Sequence, residues 1–187
     1  MLIPLKRRDN PHALFVGMLD VRLGDRVAQI GCAHGGRLAS VAGKVGLSGR
    51  AVAVVPDEAS AERARKGAQQ AGVLVEIETG TPTSLPLEDA GFDLAVIDDT
   101  GGLLSTATPE TRAATLKEIL RILRPGGRVM VVATAGRGGL AALFGSQQTR
   151  SVDPEPWLES DGFRGVRRLA ERDHLIFVEG LKPRTAP

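Results

Sequence analysis

The sequence predicts an α/β fold: a doubly wound, mostly parallel sheet with helices on both faces. Three observations carry this prediction. From Arg26 onward, short β-branched runs alternate with longer segments of helical spacing, the order that builds a parallel sheet. The first run enters a glycine-rich turn, "VAQIGCAHGG", which closes a strand and opens a helix. The last two runs are joined by a tight turn near Arg172 and Asp173, a hairpin that adds an antiparallel strand.

Each element has a local reason. "RVAQI", 26–30, is a first strand entered from the turn "LGD". Leu38, Val41, Ala42 and Val45 then recur at helical spacing. "RAVAVV", 50–55, is a second buried strand, and 57–71 is rich in the helix formers Ala, Glu, Arg and Gln, with Gly72 as its stop. "VLVEIE", 73–78, alternates apolar and acidic residues like a strand near a sheet edge. After a loop, "FDLAVID", 92–98, is nearly continuous in apolar residues. Thr108 and Pro109 start a helix that carries Leu116, Ile119, Leu120 and Leu123 on one face and ends at "RPGG". "RVMVVA", 128–133, is a fifth strand. A Gly- and Ser-rich stretch holding "LAALF", 140–144, leads to Asp153 and Pro154, which open a short helix. "FRGVRRLAE" and "HLIFVEGL" form the closing hairpin, with His174 at the start of its second strand. Right-handed crossovers make the whole Rossmann-like, with ligands expected at the carboxyl ends of the strands.

Composition narrows the class. The 187 residues are 42% hydrophobic and 25% charged, the make-up of one globular domain with a full core. No apolar run reaches the ~20 residues of a bilayer span, and the opening "MLIPLKRRDNPH" lacks the layout of a signal peptide. Cys32 is the only cysteine, which excludes an internal disulfide and fits a cytoplasmic protein. The net charge of +2 is interspersed: Arg63, Arg65 and Lys66 share a segment with Glu58 and Glu62. With one Trp, five Phe and no Tyr, stacking platforms for nucleic acid are scarce, so a solvated basic surface is the expected reading.

Four segments together resemble the class I methyltransferases that use S-adenosylmethionine: "VAQIGCAHGG", "LPLEDAGFDLAVID", "ILRPGGRVMVV" and "WLESDGFRGVRRLAERDHLIFVEG". The resemblance spans roughly residues 20 to 180 and implies a seven-stranded sheet with one antiparallel strand. It divides the chain into an N-terminal helical or lid segment at 1–25, a methyltransferase-like domain at 26–182 and a tail at 183–187. It also implies that S-adenosylmethionine lies along Gln29, Gly31, Cys32, Ala33 and Gly35, then Val55, Pro56 and Asp57, then Thr81 and Pro82.

The ligand positions depart from the family pattern. Where typical members carry three carboxylates, this chain has Gln29, Val55 and Thr81, with Asp57 two residues late; Ala33 replaces the middle glycine. A hydrogen bond to a charged acceptor contributes roughly 1.5–3 kcal/mol. Two or three such losses weaken binding by about 10²- to 10⁴-fold if they add. Gly31, Gly35 and the amides of the helix start remain able to receive a carboxylate.

Catalytic candidates are few. Asp98 and Asp99 end the fourth strand at the rim where the family places its methyl acceptor, and are the candidates for orienting or deprotonating a substrate. His34 sits inside the turn and is suited to proton transfer. Cys32 is read as a small buried filler, and His12 belongs to the lid segment. No third oxygen ligand accompanies the Asp98 and Asp99 pair, so no metal is expected. "LAALF" is a candidate pocket cap, dimer contact or small packed helix, and a homodimer or a partner protein is the expected assembly. Two functions compete: methyl transfer to a small molecule, or a degenerate member of the fold acting as a scaffold or regulatory subunit. A nicotinamide-dependent oxidoreductase ranks below both, because the turn is not G-x-G-x-x-G.

Overall fold

A computed structural model describes residues 12–31, 35–135 and 153–184. Seven strands form one sheet in the order β3-β2-β1-β4-β5-β7-β6. They are β1 (Arg26–Ile30), β2 (Arg50–Val55), β3 (Glu76–Thr79), β4 (Phe92–Asp98), β5 (Leu123–Thr134), β6 (Arg164–Arg172) and β7 (Leu175–Leu181). The pairs from β3 across to β5 are parallel, whereas β7 runs antiparallel to both β5 and β6. The expected seven-stranded sheet with one reversed strand is therefore present.

Among the described residues the helices are α1 (Ala13–Leu19), α2 (Gly35–Val45), α3 (Glu58–Ala71), α4 (Pro109–Ile122) and α5 (Glu155–Ser160). Asp57 caps α3 by accepting from the Ser60 N–H at 2.7 Å, and Gly72 ends it in a left-handed conformation at φ 67°. Thr108 caps α4, with Pro109 in its first turn. These are the start and stop signals that the sequence displays.

The pleat sorts side chains between two faces. Ala28, Ile30, Val52, Val54, Ala95 and Ile97 pack with Leu116, Ile119 and Ile122 of α4 and Leu158 of α5. Val27, Leu94 and Val96 pack on the opposite face with Phe15, Val16 and Leu19 of α1 and Val41 of α2. Ala53 and Val55 share that face and meet Leu38, Ala61 and Ala64. The helix α1, part of the expected lid segment, thus puts three side chains into the core.

Three boundaries differ from the sequence reading. The third strand is confined to 76–79, because Val73 to Val75 form the exit from α3. The fifth begins at Leu123, which pairs with Phe92, so "RPGG" lies within its length and not before it. The backbone of that stretch is held by bonds from Gly126 N–H to Lys182 O and from Lys182 N–H to Gly127 O. His174 is in the hairpin turn with Asp173, at φ 62° and 53°, and β7 starts one residue later.

Candidate functional site

The carboxyl ends of β1, β2 and β4 open into a cleft of about 410 Å³, within the size range of small-molecule sites. Gly31, Pro56, Arg63, Pro82, Asp98 and Leu103 are among the residues that line it. Gly31 has φ 80°, and a Cβ there would stand 3.1 Å from both Asp98 O and Leu103 Cδ1. Only glycine meets both demands without strain.

A larger hollow of about 540 Å³ lies at the other end of the strands, between the α2–β2 and α3–β3 connections. Its two charged side chains, Arg50 and Glu76, are paired at 2.7 Å, and this pairing holds the Glu76 carboxyl below its ordinary range. The smaller cleft lies where α/β sheets bind ligands and carries polar groups able to meet one.

Asp98 ends β4 with its side chain on the α1–α2 face, as the alternation from Leu94 and Val96 requires. Both its oxygens accept from Arg37 Nη1, at 3.2 and 3.1 Å, and Thr100 donates from its backbone N–H at 3.2 Å and its hydroxyl at 2.5 Å. The pair is nearly dry, with Asp98 0% and Arg37 13% exposed in their side chains. The guanidinium also lies 5.3 Å from the centre of the Phe15 ring. Asp98 is therefore a fixed, charge-compensated acceptor.

Asp99 does different work. Its Oδ1 accepts from the N–H groups of Leu104 and Ser105 at 2.6 and 3.1 Å, which closes the segment after β4. Its Oδ2 is buried without a hydrogen-bond partner among the described residues. Burial pushes this carboxyl above its ordinary range and the Asp98 charge adds to that, while the two backbone donors pull the other way.

The expected cofactor positions separate into groups. Gly31, Pro56 and Pro82 line the cleft. Val55 is fully buried, faces the α2–α3 core and is not among the residues lining the cleft. Asp57 is exposed and occupied in capping α3; the bond from the Ser60 N–H holds its carboxyl below its ordinary range. The exposed Thr81 meets Thr83 Oγ1 at 3.3 Å. Gln29 is fully buried: its Nε2 donates to Gly31 O at 3.3 Å, and its Oε1 has no partner among the described residues. Gly35 opens α2 against α3, where a Cβ would stand 2.7 Å from Arg63 O. Cys32, Ala33, His34 and the "LAALF" segment lie outside the described residues.

The structure also brings in residues that the sequence reading did not place at the site. Arg37 neutralises Asp98 from 61 positions away, and Arg63 lines the cleft from α3. His12 reaches the first turn of α2, its Nε2 2.6 Å from where a Gly36 Cβ would be. The one local signal for any of these is the i, i+3 spacing of Ser60 and Arg63. Among the described residues, no group of three or more His, Cys, Asp or Glu is placed to hold a metal, and no helix is long and apolar enough to cross a membrane.

Residues 27–127 match the family described as a methyltransferase domain. An uncharacterised 37.1 kDa protein in transposon TN4556 of Streptomyces fradiae is 34% identical over 119 residues, covering 64% of this chain and 33% of its own length. The chain thus spans a third of that relative. A demethylmenaquinone methyltransferase of Bacillus cereus is 27% identical over 173 residues, covering 82% of this chain and 70% of its own. Among solved structures, a SAM-dependent methyltransferase from Aquifex aeolicus superposes with a TM-score of 0.69 at 18% identity, covering 90% of this chain and 88% of that one.

Proposed function

The chain belongs to the methyltransferase domain family, and from that premise we propose that it binds S-adenosylmethionine in the cleft at Gly31 and transfers a methyl group to a small molecule. When bound, S-adenosylmethionine supplies a methyl group already activated on a sulfonium. The protein then has to bring an acceptor into line with that methyl and keep water out, so positioning supplies most of the catalysis.

The residues present fit a nucleoside, though with few polar contacts. Gly31 lets the backbone come close, and Pro56, Pro82 and Leu103 wall the cleft with apolar surface. The buried Gln29 Oε1, which has no hydrogen-bond partner among the described residues, is an acceptor for the amino-acid end. Asp98, 0% exposed in its side chain and held by Arg37 and Thr100, fixes the rim at the end of β4. Asp99 fixes the 99–105 segment that forms the wall beyond it. The observation that carries this reading is the cleft itself, built on a positive-φ glycine at the carboxyl end of β1.

Calorimetric titration with S-adenosylmethionine and S-adenosylhomocysteine tests it. Binding is expected about 10²-fold or more below that of a site with all three family carboxylates. No heat at near-millimolar ligand overturns the reading.

One observation favours a second reading, a scaffold or regulatory subunit that keeps the fold without turnover. The carboxylate among the cleft-lining residues, Asp98, is already paired with Arg37. Ligand bound without methyl transfer to any of a panel of thiols, amines and phenols would support it.

A further inference from the structure

The same cleft carries the cationic side chain of Arg63. Arg63 turns back toward the start of α3, the direction long helical side chains take, and its Nη2 donates to Ser60 Oγ at 2.7 Å. Both residues line the cleft, beside Pro56 and near Gly80 and Pro82. The guanidinium therefore stands over the first turn of α3, at the carboxyl end of β2. Among the described residues it forms no ion pair. Its neighbours Glu58 and Glu62 both pair with Arg65. Asp57 feels the Arg63 charge, but its carboxylate is turned to the Ser60 N–H. Asp98 is compensated by Arg37.

This end of the cleft is where a nucleoside presents its ribose hydroxyls, and the usual partner there is an acid. Here the strand ends in a valine that faces the core, and the charge on offer is cationic. In dinucleotide-binding sheets, an arginine at this place accommodates a phosphate on the ribose. The planar guanidinium suits a phosphate through paired N–H donors, and the amino end of the 14-residue α3 adds a favourable dipole. We infer that the cleft takes a nucleotide carrying a phosphomonoester at the ribose 2′ or 3′ position, gripped by Arg63 and Ser60 and competing with S-adenosylmethionine for the same place. The inference rests on the reading of the cleft as a nucleoside site.

Calorimetry on the full chain separates the possibilities, using adenosine, its 2′-, 3′- and 5′-monophosphates, inorganic phosphate and S-adenosylhomocysteine. The 2′- or 3′-phosphate is expected to bind at least about tenfold more tightly than adenosine or the 5′-phosphate, and to displace S-adenosylhomocysteine. Arg63→Ala should abolish that gain, and Arg63→Lys should keep part of it. Arg63 is exposed, so an unchanged melting curve serves as the folding control. A gain that survives Arg63→Ala, or inorganic phosphate binding as well as the nucleotide, overturns the inference. If S-adenosylhomocysteine binds and no phosphate position matters, the inference falls and the nucleoside site stands. If no nucleoside binds at all, the reading of the cleft falls first.

Discussion

Arg112 on α4 lays its guanidinium 3.8 Å from the centre of the Trp157 ring on α5, while its Nε and Nη2 donate to Leu104 O and Ala107 O, each at 3.1 Å. One side chain thus ties two helices to the segment that walls the cleft. Arg112→Ala removes two charge-assisted bonds and a cation–π contact, and should destabilise by about 2 kcal/mol in urea. Trp157 is the only tryptophan, so its emission should shift to the red as water reaches the indole. Unchanged emission would mean that the stacking does not persist in solution.

Arg37→Met should be more damaging, because it strands the Asp98 carboxylate in a dry site. Breaking a buried pair by removing one partner costs roughly 3–5 kcal/mol. Adding Asp98→Asn to that variant should restore a large part of the loss, since the charge that lacked compensation is gone. Chemical denaturation of the two single variants and the double variant measures the coupling.

Asp99 sets a pH dependence of opposite sign to the usual carboxylate. Its folded-state pKa is raised by burial, so the native state binds the proton more tightly than the unfolded chain does. The stability this contributes is complete below the unfolded pKa, near 3.9, and is lost as pH rises through the higher folded value. Asp99→Asn keeps the Oδ1 acceptor and removes the titration. The stability of Asp99→Asn relative to the parent should therefore increase as pH rises from about 4 toward neutrality. Thermal melting of both proteins across that range would show it; parallel curves would not fit.

Gly67→Ala pits two effects against each other. Alanine is favoured over glycine within a helix by about 1 kcal/mol. A Cβ at 67, however, would stand 2.8 Å from the backbone C and O of Gly35, and the start of α2 would have to move away from α3. Overpacking of this kind costs about 1–3 kcal/mol, and the neighbour is main chain that cannot rotate aside. The clash should win, with net destabilisation by denaturation and weaker nucleoside binding.

Much of the fold was legible because its signals are local. The runs of β1, β2 and β4, the Thr108–Pro109 start and the Gly72 stop each depend on a few adjacent residues, and each is found where the sequence puts it. The start of β5 was not, because "RPGG" reads as a turn and is drawn out only by pairing of Leu123 with Phe92 and by bonds to Lys182. At the site, Asp98 was visible as a strand-end acid, whereas Arg37 was not, since nothing near Asp98 in sequence announces a partner on another helix. Val55 was located at the end of its strand, yet the direction of its side chain follows from pleat parity and from the helices packed above, which place it in the core. Arg63 read as one of several mixed surface charges until the packing of α3 set it over the cleft.

The position of β7 has a consequence for the chain as it is made. It is last among the seven strands in sequence but interior in the sheet, filling the gap between β5 and β6. On the ribosome, β5 emerges roughly forty residues before β7 begins, an interval of about 2–8 s at 5–20 residues per second. Throughout it, the Met130–Ala133 stretch, wholly buried in the finished protein, waits with one side unzipped. A nascent chain stalled in that window would present an open apolar ribbon to chaperones and to its neighbours on the same polysome.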